Sequence, residues 1–207
     1  MSRYLKTEGI VLKESSLGEN GKLLTLFTKD YGKITVAAKG VKKPGSSLVH
    51  VAQLFAYSKL EIYKGSSSLF TLTGGELIET FSGLSASYER IFNAGVISRI
   101  ILRVIQEDLP EEDSLRLLLN SLYFLSNGKR EPEFVKSVFI LKLLQYEGIA
   151  PEIDEIETMW HAKLLDGTKM ALAHIFESEI ETLFSFSVSE DVLNEINSIS
   201  NMLINDL

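Results

Sequence analysis

Four lysines crowd the stretch "GKITVAAKGVKKPGSS": Lys33, Lys39, Lys42 and Lys43, with no acidic residue among them. Ammonium groups on a short span beside small side chains can neutralise a phosphate backbone that approaches closely. Lys22, in the preceding "GENGKL", joins them as a fifth candidate phosphate contact. Downstream, "LFAYSKLEIY" alternates: Leu54, Ala56, Ser58, Leu60 and Ile62 oppose Phe55, Tyr57, Lys59, Glu61 and Tyr63. A lysine among rings suits single-stranded nucleic acid, where bases stack on aromatics. For Phe55 and Tyr57 packing against the helical domain is the favoured reading.

Other chemistries find no support. The chain has no cysteine, which excludes disulfides, thiolate catalysis and cysteine-held metals. His50, His161 and His174 are far apart and match no metal-ligand spacing. "GENGKL" lacks the first glycine and the Ser or Thr of a phosphate loop, because Ser16 and Leu23 stand there. The acidic runs "EEDS" and "EIDEIE" read as solvated helix starts. Nothing argues for an enzyme, a cofactor or a metal.

Charge is divided along the chain. The whole carries 21 Lys+Arg against 28 Asp+Glu, net −7. Residues 1–82 hold 11 basic and 7 acidic residues, net +4, and residues 83–207 hold 10 and 21, net −11. Such asymmetry predicts two parts with different partners. At 45% hydrophobic residues a sizeable core is available. No apolar run reaches the ~18 residues of a membrane span, and the N-terminus does not resemble a secretory signal. The expected location is the cytoplasm.

The texture changes where the charge does. Up to about residue 80 apolar residues alternate as in half-buried strands. "RYLKTEGIVLKE", "KLLTLFT", "KITVAAK", "LFAYSKLEIY" and "LFTLTGGELIETF" read as five strands. They are separated by the loop "SSLGENG", the turn "DYG", the loop "GVKKPGSS" and the turn "KGSSS", with a bulge expected at Gly74 and Gly75. Five short strands predict a small closed or partly open barrel. After Phe81 the period becomes helical. Helices are expected in "YERIFNAGVISRIILRVIQED", in "LRLLLNSLYFLSNG" capped by Asp113 or Ser114, and in "EPEFVKSVFILKLLQYEG". Two more are expected in "TKMALAHIFESEIETLFSF" and in "SEDVLNEINSISNMLINDL", the last started by Ser189. The third is apolar nearly all round and should be central. Residues 151–167 give no clear pattern. The fold class is therefore α+β, with a β-barrel at 1–80 and a helical domain at 81–207.

The order of these elements carries a resemblance. "EGIVLKESSLGENGKLLTLFTKDYGKITVAAKGVKKPGSSL", then "LEIYKG" and "GGELIETF", resembles the N-terminal region of the bacterial DNA repair protein RecO family. "SVFILKLLQYEGIAPEID" is similar, more weakly, to that family's Leu-rich helix and Gly-x-x-Pro exit, and "FESEIETLFSFSVSEDVLNEI" suits its C-terminal helices. The resemblance implies an oligonucleotide/oligosaccharide-binding (OB) barrel, a helical domain and a recombination mediator. Such a protein binds single- and double-stranded DNA, anneals complementary strands, and works at the nucleoid. With RecR it helps load RecA onto DNA coated by single-strand-binding protein. The alternative is a protein-interaction adaptor that keeps the fold and binds DNA weakly. Many family members also carry a four-cysteine zinc ribbon after the Gly-x-x-Pro exit, and this chain has no cysteine to build one.

The resemblance further implies that the helical domain binds the acidic, Phe-ended tail of single-strand-binding protein. That needs an apolar pocket beside a cation. Lys129, Arg130, Lys136 and Lys142 flank or line the most apolar helix, where the resemblance places the tail site. Ser137 stands where a family arginine is expected, so Lys136 is the expected substitute. Arg99 and Arg103, one turn apart on one helix face, are a second candidate pair.

Overall fold

The computed structural model describes residues 3–65 and 69–205. The expected turn at "KGSSS" falls partly on Ser66–Ser68, outside the described residues. Five strands are formed: β1 (Tyr4–Leu17), β2 (Gly21–Thr28), β3 (Gly32–Ala38), β4 (Tyr57–Lys64) and β5 (Phe70–Glu79). They close into a barrel in the order β1-β2-β3-β5-β4. All neighbours are antiparallel except β3 and β5, which pair in parallel through Val36↔Phe70 and Ala37↔Thr71. β1 serves both β2 and β4, and its ladder with β2 shifts register between Val11 and Lys13. The interior is filled from alternate positions of every strand, including Val11, Leu24, Leu26, Val36, Leu60 and Ile62, all 2% exposed or less.

Several strand boundaries differ from expectation. β1 continues through Ser15, Ser16 and Leu17, read as loop, because Leu17↔Gly21 closes a tight hairpin around Gly18 at φ +59. β4 begins only at Tyr57. Phe55 takes a left-handed conformation (φ 63), which reverses the alternation there: Phe55 is buried and Leu54 is exposed. β5 is irregular at two places: at Thr73, beside Gly74, since Glu61 pairs with Gly74 and Ile62 with Leu72, and at Ile78, since Tyr57 pairs with Glu79 and Ser58 with Leu77.

Helices follow: α1 (Tyr88–Val104), α2 (Glu112–Asn127), α3 (Pro132–Tyr146), α4 (Ile153–Trp160), α5 (Asp166–Glu177) and α6 (Glu190–Asn205), with a 3-10 turn at Ser82–Ala86. α2 starts at Glu112, so Asp113 and Ser114 lie inside its first turn rather than capping it. α4 occupies the unreadable stretch, held by a capping box between Glu152 and Glu155. α5 ends at Glu177, where Ser178 turns extended, so the second half of "TKMALAHIFESEIETLFSF" is not helical. α3 is buried from Phe134 to Leu144 without interruption, as its uniform apolarity requires. Two compact units result: residues 1–82 with 101–115, and residues 83–100 with 116–207.

Within the first unit, the segment after α1 seals the β2–β3 turn. Gly32 has φ +59, and a Cβ there would lie 2.0 Å from the Leu109 carbonyl oxygen. Lys33 reaches the end of α1 and donates from Nζ to the carbonyls of Leu102 (3.1 Å) and Ile105 (2.9 Å). A cation at a helix C-terminus meets both unpaired carbonyls and the negative end of the dipole. Gly32→Ala should destabilise the protein by about 2–4 kcal/mol, through left-handed strain and a clash that only backbone movement relieves. Lys33→Met should cost about 2 kcal/mol by removing two charge-assisted bonds. Urea denaturation of each variant measures both.

Candidate nucleic-acid and partner interfaces

The loop after β3 is built from turns, not from free chain. Lys43 N–H donates to Gly40 (3.1 Å), Ser46 to Lys43 (3.2 Å) and Ala52 to Leu48 (3.1 Å), while Lys42 N–H reaches back to the Asn20 carbonyl (3.1 Å). Val41, Val51 and Ala52 drop into the barrel core and Leu48 packs against it. The apolar side of the loop is thus anchored, and its charged side is left outward. Lys39, Lys42 and Lys43 are all exposed. Lys42 Nζ donates to Ser16 Oγ at 3.1 Å. Lys39 and Lys43 have no side-chain partner among the described residues. The backbone therefore fixes the attachment points of three exposed lysines on one loop of the barrel unit.

The other two candidate lysines are engaged. Lys33 is committed to the end of α1, as above. Lys22 Nζ pairs with Glu14 at 2.6 Å and donates to the Ala52 carbonyl at 3.3 Å, so its charge is neutralised locally. The aromatic residues do not form a stacking platform either. Phe55 is 3% exposed. The Tyr57 hydroxyl donates to Glu8 at 2.7 Å, and burial, reinforced by that carboxylate, raises its pKa. The exposed ring of the barrel is Tyr4, 67% exposed and tilted against Tyr63 at 5.1 Å. Sequence alternation gave no reason to single it out.

In the helical unit the cations divide in the same way. Lys136 is 7% exposed and ion-paired with Glu133 one turn back. Lys142 is 3% exposed, donates to the Phe176 carbonyl at 2.9 Å and lies 5.1 Å from the Tyr146 ring. Burial lowers its pKa, with Glu179 partly opposing. Both lysines face inward because all sides of α3 are covered. Arg130 differs: it donates to Ser187 Oγ at 3.0 Å and its guanidinium lies 5.7 Å from the Phe134 ring. With Lys129, Phe134, Phe186 and Leu193 it lines a cleft of about 570 Å³, whose rim also carries Glu131, Glu133 and Glu190. A second cleft of about 460 Å³, with Met170, His174 and Val192, shares the wall Phe186–Ser189. Arg99 and Arg103 are exposed on α1.

Phe186 and Leu193 are site residues that sequence reasoning passed over. The sequence reading carries a helix as far as Phe186, whereas residues 185–189 form no regular secondary structure. The strict alternation of apolar residues and serine in "FSFSVS" was the available signal. Among the described residues no group of three or more His, Cys, Asp or Glu could hold a metal, and no helix is long and apolar enough to cross a membrane. A four-cysteine zinc ribbon does not fit a chain without cysteine.

Comparison with known proteins agrees with this architecture. The family model for the recombination protein O N terminal matches residues 1–81, and that for the recombination protein O C terminal matches residues 85–155. The chain is 35% identical to the DNA repair protein RecO of Acetivibrio thermocellus, over 95% of this chain and 89% of that protein. It is 34% identical to that of Bacillus subtilis, over 79% of this chain and 62% of that protein. For the protein of Caldicellulosiruptor bescii the values are 36%, 70% and 59%. The chain thus spans less than two thirds of the latter two relatives. The chain belongs to the RecO family.

Proposed function

We propose that this chain acts in DNA repair and recombination by binding single-stranded DNA through the lysine loop of its barrel. One observation carries the reading: Lys39, Lys42 and Lys43 project from a loop whose apolar side is locked into the barrel core. An anchored loop holds its charges in place, so phosphate binding costs little ordering entropy. The barrel portion is also the basic part of an otherwise acidic chain. Phosphate contacts position a strand without reading its sequence, which suits a mediator that acts on any sequence, anneals complementary strands and also binds duplex DNA. In this reading RecR is the co-factor protein, and the outcome is RecA loaded onto DNA coated by single-strand-binding protein.

The acidic tail of single-strand-binding protein docks, in this reading, in the cleft of the helical unit. Phe134, Phe186 and Leu193 supply an apolar floor, and Lys129 and Arg130 supply the cations. The glutamates on the rim repel an acidic peptide that enters out of register, which adds selectivity. Lys136, paired with Glu133, and Lys142, bonded to the Phe176 carbonyl, are buried and already partnered, and take no part in the docking.

A second reading, an adaptor with weak DNA binding, gains from the engagement of Lys22 and Lys33, which leaves three lysines uncommitted to carboxylates or helix carbonyls. The salt dependence of binding separates the two. With three phosphate contacts, log K for a single strand should fall against log salt with a slope of about −2. Lys39→Glu with Lys42→Glu and Lys43→Glu should flatten the slope and weaken binding to all sequences alike, at unchanged melting temperature. An unchanged affinity would move the DNA site elsewhere. For the tail, Lys129→Ala with Arg130→Ala should weaken a fluorescent tail peptide several-fold, about 1 kcal/mol, and leave naked-DNA binding intact. Lys136→Ala should instead lower the melting temperature.

A further inference from the structure

The exposed face of α1 takes no part in either proposed site. Tyr88 and Phe92 are 73% and 48% exposed and stack on one another, with ring centroids 5.7 Å apart and planes at 25°. Large rings left in water mark interaction surfaces when they cluster. One turn on is Gly95, and beyond it Arg99 is exposed, with no ion pair or hydrogen bond among the described residues. At about 100° per residue, Tyr88, Phe92, Gly95, Val96 and Arg99 share an arc of about 100° on the helix.

Gly95 is the informative residue. It lies inside a helix, where glycine is less favourable than alanine. A Cβ placed on it would meet nothing within 4 Å. Its own fold therefore does not require the missing side chain. The benefit must come from outside: a bare backbone lets another surface come close.

We propose that this face pairs with the same face of a second copy of the chain, with the two α1 helices antiparallel about a two-fold axis at Gly95–Val96. The pattern is complementary to itself under that operation. Phe92 of one copy falls opposite Arg99 of the other, and Gly95 opposite Val96. Arg103, one turn further along the same helix, falls opposite Tyr88. Each aromatic ring thus receives a guanidinium, a favourable pairing that strengthens as water is excluded, and glycine at the centre permits the close approach. A two-fold interface demands this kind of self-complementarity. A nucleic-acid strand fits the face less well, because residues 83–207 carry a net charge of −11. An unrelated protein would place no requirement on the symmetric spacing of rings and arginines. One helix face is small, so the dimer is reversible.

The absence of cysteine makes a direct test simple, since Val96→Cys introduces the sole thiol. Sedimentation equilibrium of the unmodified chain from about 1 µM to about 1 mM should show a monomer–dimer equilibrium. Mild oxidation should convert Val96→Cys to a covalent dimer at least ~10-fold faster than Asn201→Cys, an exposed position on α6. Gly95→Leu should raise the dissociation constant at least ~10-fold and keep the folded circular dichroism spectrum, because a Cβ there meets nothing within 4 Å and leucine favours a helix over glycine. Gly95→Ala should raise the melting temperature of the monomer by ~2–4 °C. A chain that stays monomeric at the highest concentration overturns the proposal. So does a dimer that Gly95→Leu leaves intact, or equal cross-linking at positions 96 and 201.

Discussion

The parallel pairing of β3 with β5 is the constraint from which the rest of the barrel unit follows. It consists of two residue pairs, Val36↔Phe70 and Ala37↔Thr71, yet it closes the sheet and removes its open edges. Because β5 takes the place beside β3, the next strand in sequence, β4, must lie one position further round. The chain leaving β3 cannot turn back in a hairpin. It has to cross to β4 through residues 39–56, and a connection that long needs its own anchors. Val41, Val51 and Ala52 provide them by entering the core, and Leu48 by packing against it. Lys39, Lys42 and Lys43, on either side of the first of these anchors, then have only the outside to face. The basic surface is thus a consequence of barrel closure.

Charge is assigned by burial as much as by sequence. Lys22, Lys33, Lys136 and Lys142 each meet a carboxylate or a backbone carbonyl, because a partly or fully buried ammonium without a partner is costly. Lys39, Lys42, Lys43, Lys129 and Arg130 keep their charge accessible. Lys39, Lys42 and Lys43 lie on the barrel and Lys129 and Arg130 on the helical cleft, each group within its own compact unit. The second group sits in the part of the chain with an acidic surplus, residues 83–207 at net −11, beside the rings of Phe134 and Phe186.

Much of this was legible in the residues. Period-two alternation located the five strands, the change of period after Phe81 located the helices, and uniform apolarity marked α3 as central. The failures have physical causes. Phe55 occupies a left-handed conformation that no propensity predicts for a phenylalanine, so the ring expected on the outer face went inside. "EIDEIE" reads as a helix start and does begin α4, but the apolar residues of 151–167 show no period from which the rest of that helix could be read. Phe184–Phe186 read as the end of a helix because the periodic pattern before them is strong. Lys33 could not be told from Lys39 by type or spacing; only the end of α1, some seventy residues away in sequence, distinguishes them. Long-range partners of this kind decide which of several like residues is free for function.

The central claim is that the lysine loop, and not the lysine at the base of β3, meets the phosphate backbone. Competitive acetylation of lysine amines, read by mass spectrometry with and without a saturating single-stranded oligonucleotide, tests it in the unmodified chain. The account predicts that bound DNA slows acetylation of Lys39, Lys42 and Lys43 strongly and leaves Lys33, already slow in the free protein, unchanged. Protection centred on Lys129 or Lys59, with the loop lysines reacting as fast as in the free protein, would contradict it.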